Sequence, residues 1–390
     1  MQNSYKKLIA GLPGTHELFR QPALPGARVR FRDLAVTDVS VRQLLLNAVE
    51  EVLISGQLLM GPKVELFEKA MADYCGRQYC VGVSSGTDAV YLALRALGIG
   101  AGDEVITTSL SWVATLNAIV MTGAVPVIVD IARDQNIDPD KIEAAITNRT
   151  KVVLPVHFTG RLCDMTTIRH IADRHDLLVI EDAAQAMGAR TETYRAGGLG
   201  DAAAFSFNPM KVFPGYGEAG AVVTDDASVD ARLRELRYLG TKEKEVCVEL
   251  SLNAKMDEIQ AAMLLPGFDL LDGLIDKRIA LARAYSEKLA GTVECPPPPE
   301  PGDYTSNFFD YQIYAPDRDG LRAHLAEKGV ETKVKHPVLL PDHPAFSHLA
   351  RPDIPVAEYI AGHMLSIPLH EKMTDEDVDY VVDAIQEYCR

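Results

Sequence analysis

Lys211 and Asp182 are the two side chains of this sequence best placed to do chemistry. Lys211 ends the run Ala204-Phe205-Ser206-Phe207-Asn208-Pro209-Met210-Lys211, and Asp182 ends the run Leu178-Val179-Ile180-Glu181-Asp182. Each run is an apolar, strand-like stretch that finishes in polar groups. A lysine amine condenses with an aldehyde to give a Schiff base. An acid can hold a pyridinium nitrogen protonated, and a hydroxyl such as that of Ser206 can bind a phosphate. Amine, acid and phosphate donors together are what pyridoxal 5'-phosphate (PLP) needs from a protein. Lys211 is flanked by Pro209, Met210, Val212, Phe213 and Pro214. An amine in that setting is partly desolvated, which lowers its pKa and favours reactivity. Taken alone, Lys211 could still be a surface lysine, and Asp182 a turn former or helix cap.

Three further segments belong beside this pair. Ser84-Ser85-Gly86-Thr87-Asp88-Ala89 reads as a strand end, a turn of small residues and a helix start. Free backbone N–H groups there would hold a phosphate, with Gly86 permitting close approach; an ordinary helix cap uses the same residue types. Trp112 is the single tryptophan, and it could stack on a cofactor ring or fill a core. Gln185, one helical turn past Asp182, could face the same site. The segment Gly215-Tyr216-Gly217-Glu218-Ala219-Gly220 spells G-x-G-x-x-G, but a dinucleotide fingerprint must follow a strand and open a helix. Here Ala221-Val222-Val223-Thr224 follows and reads as a strand, so the glycines mark a turn.

The elements that must position these residues are legible as apolar runs. Strands are expected near Tyr79–Val83, Glu104–Thr108, Val125–Asp130, Val152–His157, Leu177–Glu181, Ala202–Phe207 and Gly220–Thr224. Most are short, continuous and rich in Val and Ile, the pattern of strands buried on both faces. Helical segments fit between them at Ala89–Leu97, Thr115–Met121, Pro139–Ile146 and Met165–His175. Alternating β and α implies a mostly parallel sheet with helices on both faces. Ligands of such sheets bind beyond the carboxyl ends of the strands. Ser84–Thr87, Asp182, and Ser206 with Lys211 all lie at or just after such ends, so distant segments can converge on one site. Past Pro266-Gly267 the texture changes to a long helical pattern, Leu270–Leu289, then the proline-rich connector Cys295–Gly302, then a region ending in a charged helix, Asp375–Tyr388. The expected organisation is an N-terminal arm over 1–30, a large α/β domain over 31–265 and a smaller α+β domain over 266–390.

Bulk properties exclude several classes. The 390 residues carry a net charge of −16, which argues against a nucleic-acid binder with its basic face. Hydrophobic content of 47% allows a sizeable core. No apolar stretch is long and uncharged enough for a membrane span, and Met1–Lys7 followed by Pro13 and Gly14 does not read as a secretory signal. The six cysteines form no Cys-x-x-Cys pair and no cluster with zinc spacing, so no metal is expected. Scattered cysteines fit reduced thiols in a cytoplasmic protein.

In this order the motifs resemble the DegT/DnrJ/StrS family of PLP-dependent nucleotide-sugar aminotransferases. The likeness runs from about Ser55 to about Pro368. It is carried by Leu53–Gly56 with Gly61-Pro62, Ser85–Ala89, Pro155–Gly160 with Asp164-Met165, Glu181–Gln185, Ser206–Lys211 and Asn253–Ala262. The resemblance implies aspartate-aminotransferase fold type I, with a seven-stranded sheet, and a homodimer with shared active sites. It implies that Lys211 carries the Schiff base and that Asp182 contacts the pyridinium. Gln185 would lie near the cofactor's phenolic oxygen, and Trp112 would stack on its ring. Gly86, Thr87 and Ser206 would bind phosphate, and Asn253 would reach the phosphate of the neighbouring subunit's cofactor. The expected donor is L-glutamate, released as 2-oxoglutarate. The expected acceptor is a dTDP-4-keto-6-deoxyhexose aminated at C4, with a 3-keto sugar or a keto-inositol as alternatives. PLP-dependent sugar dehydratases of the family replace the lysine with His, and Lys211 argues against that class. The chain departs from the family at Lys255, where Arg is usual, at Ala219, where Gly is usual, and at Lys335-His336-Pro337, where His-Tyr-Pro is common.

Overall fold

In the computed structural model, residues 26–390 are described; residues 1–25 of the expected arm lie outside the described residues. Helices α1 (Val39–Ser55) and α2 (Pro62–Cys75) come before the first strand. The Asp38 carboxylate caps α1 by accepting from the Ser40 and Val41 amides. Pro62 suits the first turn of α2 because its ring presets φ and its missing N–H is not needed there. Glu258, far along the chain, accepts from the Lys63 amide of that turn at 2.9 Å. Then follow β1 (Tyr79–Val83), α3 (Gly86–Ala96), β2 (Glu104–Thr108), α4 (Ala114–Met121), β3 (Val125–Val129), α5 (Pro139–Ile142), β4 (Thr150–Leu154), α6 (Met165–Arg174), β5 (Leu178–Asp182), β6 (Ala202–Ser206) and β7 (Gly220–Thr224).

The seven strands form one sheet in the order β1-β7-β6-β5-β4-β2-β3. Neighbours are parallel except at β7, which runs against both β1 and β6. Side chains alternate between two covered faces, which is why the strands read as unbroken apolar runs. Val152, Leu154, Ala202 and Ala204 pack on the face covered by α3 and α4. Ala203 and Phe205 pack with α2 on the opposite face, and Val153 and Val179 with α6. The expected strand ends fall close to the observed ones. The extension expected to His157 persists only as a bridge between Val156 and Asp182; Pro155 has no amide to offer the ladder.

Beyond the sheet come α7 (Ala227–Leu236), the ribbon β8 (Thr241–Lys242) and β9 (Val246–Cys247), α8 (Glu258–Leu264) and α9 (Phe268–Leu289). The rest is β10 (Tyr311–Tyr314), α10 (Arg318–Glu327), α11 (Pro355–His363), β11 (Met364–Ile367) and α12 (Asp375–Cys389). Helix α9 serves two cores. Leu271 and Ile275 pack with α2, whereas Leu281, Tyr285 and Leu289 pack with β10, β11 and α12. Val29 is buried in this second core and bridges to Val330. Among the described residues no helix is long and apolar enough to cross a membrane, and all six cysteines are free thiols.

Two glycines let the strand ends come together. A Cβ on Gly86 would lie 2.5 Å from Cβ of Ser206, and one on Gly220 would lie 2.3 Å from the Ser85 carbonyl oxygen. Gly220→Ala should therefore cost about 1–3 kcal/mol of stability through overpacking. Gly273→Ala, in α9 with nothing within 4 Å, should be neutral or stabilise by up to about 1 kcal/mol. Thermal melts of both variants check this; equal melting temperatures would contradict it.

Candidate active site

The carboxyl ends of β1, β5 and β6 open onto a cavity of about 650 Å³. Gly86, Thr87, Trp112, Asp182, Gln185, Ser206 and Lys211 all line it. Asn253 does not.

Asp182 is held at the buried end of β5. Its Oδ2 accepts from the Thr115 hydroxyl at 2.9 Å and its Oδ1 from the Ala184 amide at 3.2 Å. The Asp182 amide donates to Pro155 O at 2.9 Å, and its carbonyl accepts from the His157 amide at 3.1 Å. Glu181 points to the other face, where its carboxylate accepts from the Gly197, Leu199 and Gly200 amides and pairs with His157 at 2.9 Å. The strand end is thereby fixed from both sides. Burial raises the Asp182 carboxyl, with the Thr115 hydroxyl opposing it.

Lys211 follows a turn built by Asn208. The Asn208 carbonyl accepts from the Lys211 amide at 2.9 Å, and its Oδ1 accepts from the Met210 amide at 3.0 Å. This is how Asn closes a turn on itself. Among the described residues, Lys211 Nζ has no hydrogen-bond or ion-pair partner; the Phe309 ring centroid lies 4.9 Å away. Burial lowers the amine, and Asp182 across the site opposes that shift. The residue keeps some contact with solvent through the cavity mouth, while the amine itself is enclosed.

The helix end that could take a phosphate is the N-terminus of α3. Ser85 caps this helix, its Oγ accepting from the Asp88 amide at 3.1 Å. The first amides of a helix have no acceptor within it and sit at its positive end. Gly86 and Thr87 supply such amides beside the Ser206 hydroxyl, where Gly86 has no Cβ to block approach. Phosphate donors, a carboxyl at a strand end and an enclosed amine, all lining one cavity, match the phosphate, ring nitrogen and aldehyde that PLP carries. The residues present therefore fit that cofactor.

Gln185 accepts from the Thr159 amide at 2.9 Å through Oε1, which leaves its NH₂ as the donor facing the cavity. Trp112 is not a core aromatic: it is 60% exposed and stands in the cavity wall 5.6 Å from the His336 ring, which lies equally close to Phe158. Burial and the neighbouring Lys335 push His336 down to about 4, so it is neutral at physiological pH. Asn253 is exposed, and its Oδ1 accepts from Lys255 Nζ. It lies next to Ala254, whose carbonyl accepts from the Ser84 amide at 2.9 Å. This chain alone thus brings Asn253 near the β1 end but not into its own cavity. Sequence reasoning missed Thr115, Phe309 and Asp310. For Thr115 a signal existed: it is a polar residue in an apolar helix, one turn past Ser111, whose hydroxyl lies 3.1 Å from its own.

A sheet of this topology with a buried amine and acid at adjacent strand ends is that of aspartate-aminotransferase fold type I. The sequence profile of the DegT/DnrJ/EryC1/StrS aminotransferase family matches residues 40–386, and the chain belongs to that family. It is 40% identical over 365 residues to a dTDP-3-amino-3,4,6-trideoxy-alpha-D-glucose transaminase of Streptomyces venezuelae, covering 93% of this chain and 96% of that protein. It is 33% identical over 358 residues to a UDP-2-acetamido-2-deoxy-3-oxo-D-glucuronate aminotransferase of Pseudomonas aeruginosa, covering 92% and 99%. Among solved structures, S. venezuelae DesV in complex with a ketimine intermediate superposes with a TM-score of 0.89 at 40% identity, covering 93% of this chain and 99% of that one.

Two outcomes follow from the site. Thr115→Val removes a hydrogen bond to a carboxylate, worth about 1.5–3 kcal/mol, and should weaken PLP binding about tenfold to a hundredfold in an absorbance titration. Unchanged affinity would show that Thr115 does not hold Asp182. PLP uptake by the cofactor-free protein needs the neutral amine. Because the folded Lys211 lies below its ordinary 10.5, uptake should speed up with pH and level off before pH 10.5. A rate still climbing at pH 10.5 would contradict the lowered amine.

Proposed function

We propose that this chain transfers the amino group of L-glutamate onto a nucleotide-linked 3-keto sugar, using PLP held on Lys211. The observation that carries the reading is that Asp182, buried at the end of β5, and Lys211, just past the end of the adjacent β6, line one cavity. Bound PLP supplies an electron sink at its ring. Asp182 would keep the ring nitrogen protonated, and Gly86, Thr87 and Ser206 would hold the phosphate. Lys211 would hold the cofactor at its aldehyde, and its amine, when free, would take the proton from the donor α-carbon. Gln185 would donate to the phenolic oxygen, and Trp112, whose ring lies 5.6 Å from His336, would stack on the cofactor ring.

The sequence-based expectation is amination at C4; we favour C3 instead. The relatives with substrate-derived names described above carry a 3-amino or a 3-oxo sugar, and this supports C3. Asn253 at the surface beside β1 is in keeping with a homodimer in which it serves the neighbouring site. Free thiols throughout are in keeping with a cytoplasmic setting.

The test is a panel of nucleotide-linked 3-keto and 4-keto sugars given to the PLP-loaded protein with L-glutamate, with 2-oxoglutarate measured. Turnover of the 3-keto sugars is expected, and turnover of the 4-keto sugars alone would restore the C4 assignment. Lys211→Ala should lower turnover by several orders of magnitude while the protein still folds. Near-normal turnover in that variant would overturn the role of Lys211.

A further inference from the structure

Asp310, on the segment leading into β10, is a single buried carboxylate facing two cations. Its Oδ1 pairs with Arg32 at 2.9 Å and its Oδ2 with Lys335. The side chains of Asp310 and Arg32 are 2% and 8% exposed. Two cations against one acid leave this trio with a net positive charge in a site mostly shut off from water. The adjacent Arg278 does not change that balance, because Glu371 pairs with it at 3.2 Å. An uncompensated buried charge is costly unless a counter-ion completes the set. Arg32 alone would satisfy Asp310, so Lys335 is surplus to it.

Lys335 is also the member of the trio that reaches the cavity. Its side chain is 16% exposed and lines the same cavity as Lys211. Its Nζ lies 4.3 Å from the centroid of Phe309, the ring that neighbours Lys211 Nζ at 4.9 Å. Apart from Lys211, the cavity wall offers only Lys333 and Lys335 as lysine or arginine cations among the described residues. An amino-acid donor brings a carboxylate one bond from the carbon that reacts where Lys211 stands. The sugar's nucleotide phosphates are tethered farther from the reacting carbon, and the cofactor phosphate belongs to the α3 end.

We propose that Lys335, held by Asp310 and Arg32, binds the carboxylate of the amino donor. This rests on the aminotransferase reading above and assigns it a donor-binding residue.

The experiment is isothermal titration of the PLP-loaded protein with glutarate, which has glutamate's chain length and two carboxylates but no amine to react. Wild type is compared with Lys335→Met and Lys335→Arg. The Met variant should bind glutarate about tenfold or more weakly, as expected for a lost charge-assisted hydrogen bond, and the Arg variant should recover most of the affinity. In donor half-reactions followed by absorbance, the Met variant should need more L-glutamate for half-saturation, and the Arg variant should restore it. Equal glutarate affinity in wild type and Met variant, or no binding by wild type, overturns the proposal. Loss of inorganic pyrophosphate binding with glutarate unaffected overturns it too, and moves Lys335 to the acceptor's phosphates. Should the Met variant fail to fold, Lys335→Gln, which can still donate to Asp310, carries the same comparison. Because glutarate binding needs no turnover, a wild type that binds it through Lys335 yet never reacts with glutamate contradicts the aminotransferase reading and not this one.

Discussion

A carboxylic acid and an amine buried on neighbouring strand ends set the terms for the rest of this protein. Burial favours the neutral form of each: it raises Asp182 and lowers Lys211. Each pKa unit of such displacement represents about 1.4 kcal/mol between protonation states. A ligand offsets that cost if it brings a ring nitrogen able to share a proton with the acid and a carbonyl able to take the neutral amine. PLP is such a ligand. The same desolvation that costs stability prepares both groups for it.

The surrounding architecture holds that pair in place. Helices on both faces of the sheet seal β5 and β6; the Thr115 hydroxyl holds the Asp182 carboxylate, and the Asn208 turn holds the Lys211 backbone. The C-terminal part of the chain is fastened to the same place. Asn307 donates to the carbonyls of Gln185 and Met187 at 2.9 and 3.0 Å, and its Oδ1 accepts from the Phe309 amide at 2.8 Å. Arg278 of α9 donates to the Phe308, Phe309 and Leu369 carbonyls. Phe309 and Asp310 thus reach Lys211 on a rigid segment although they lie far along the chain from it. Folded contacts, and not chain proximity, bring them there.

How much of this was legible in the sequence differed by element. The strands stood out because a sheet covered on both faces imposes unbroken apolar runs, and Lys211, Asp182 and Gly86 stood at the ends of those runs. Helix α1 was harder to see: Leu44, Leu46, Leu53 and Ile54 are exposed, so its apolar residues do not mark one buried face. Asp310 and Arg32 gave no local signal, since an ion pair between distant segments has no period or spacing. Trp112 could have filled a core or stacked on a cofactor ring on sequence grounds, and only the fold places it in the cavity wall beside His336. The ends of β4 and β5 shifted slightly because Pro155 interrupts one ladder while Asp182 extends the other.

The most direct measurement is the visible absorption spectrum of the purified protein with PLP, before and after L-glutamate is added. A yellow band that bleaches with glutamate is the expected result, because it requires both the amine of Lys211 and a donor half-reaction in the same cavity. A colourless protein that takes up no PLP would contradict the pairing of Lys211 with Asp182 as a cofactor site.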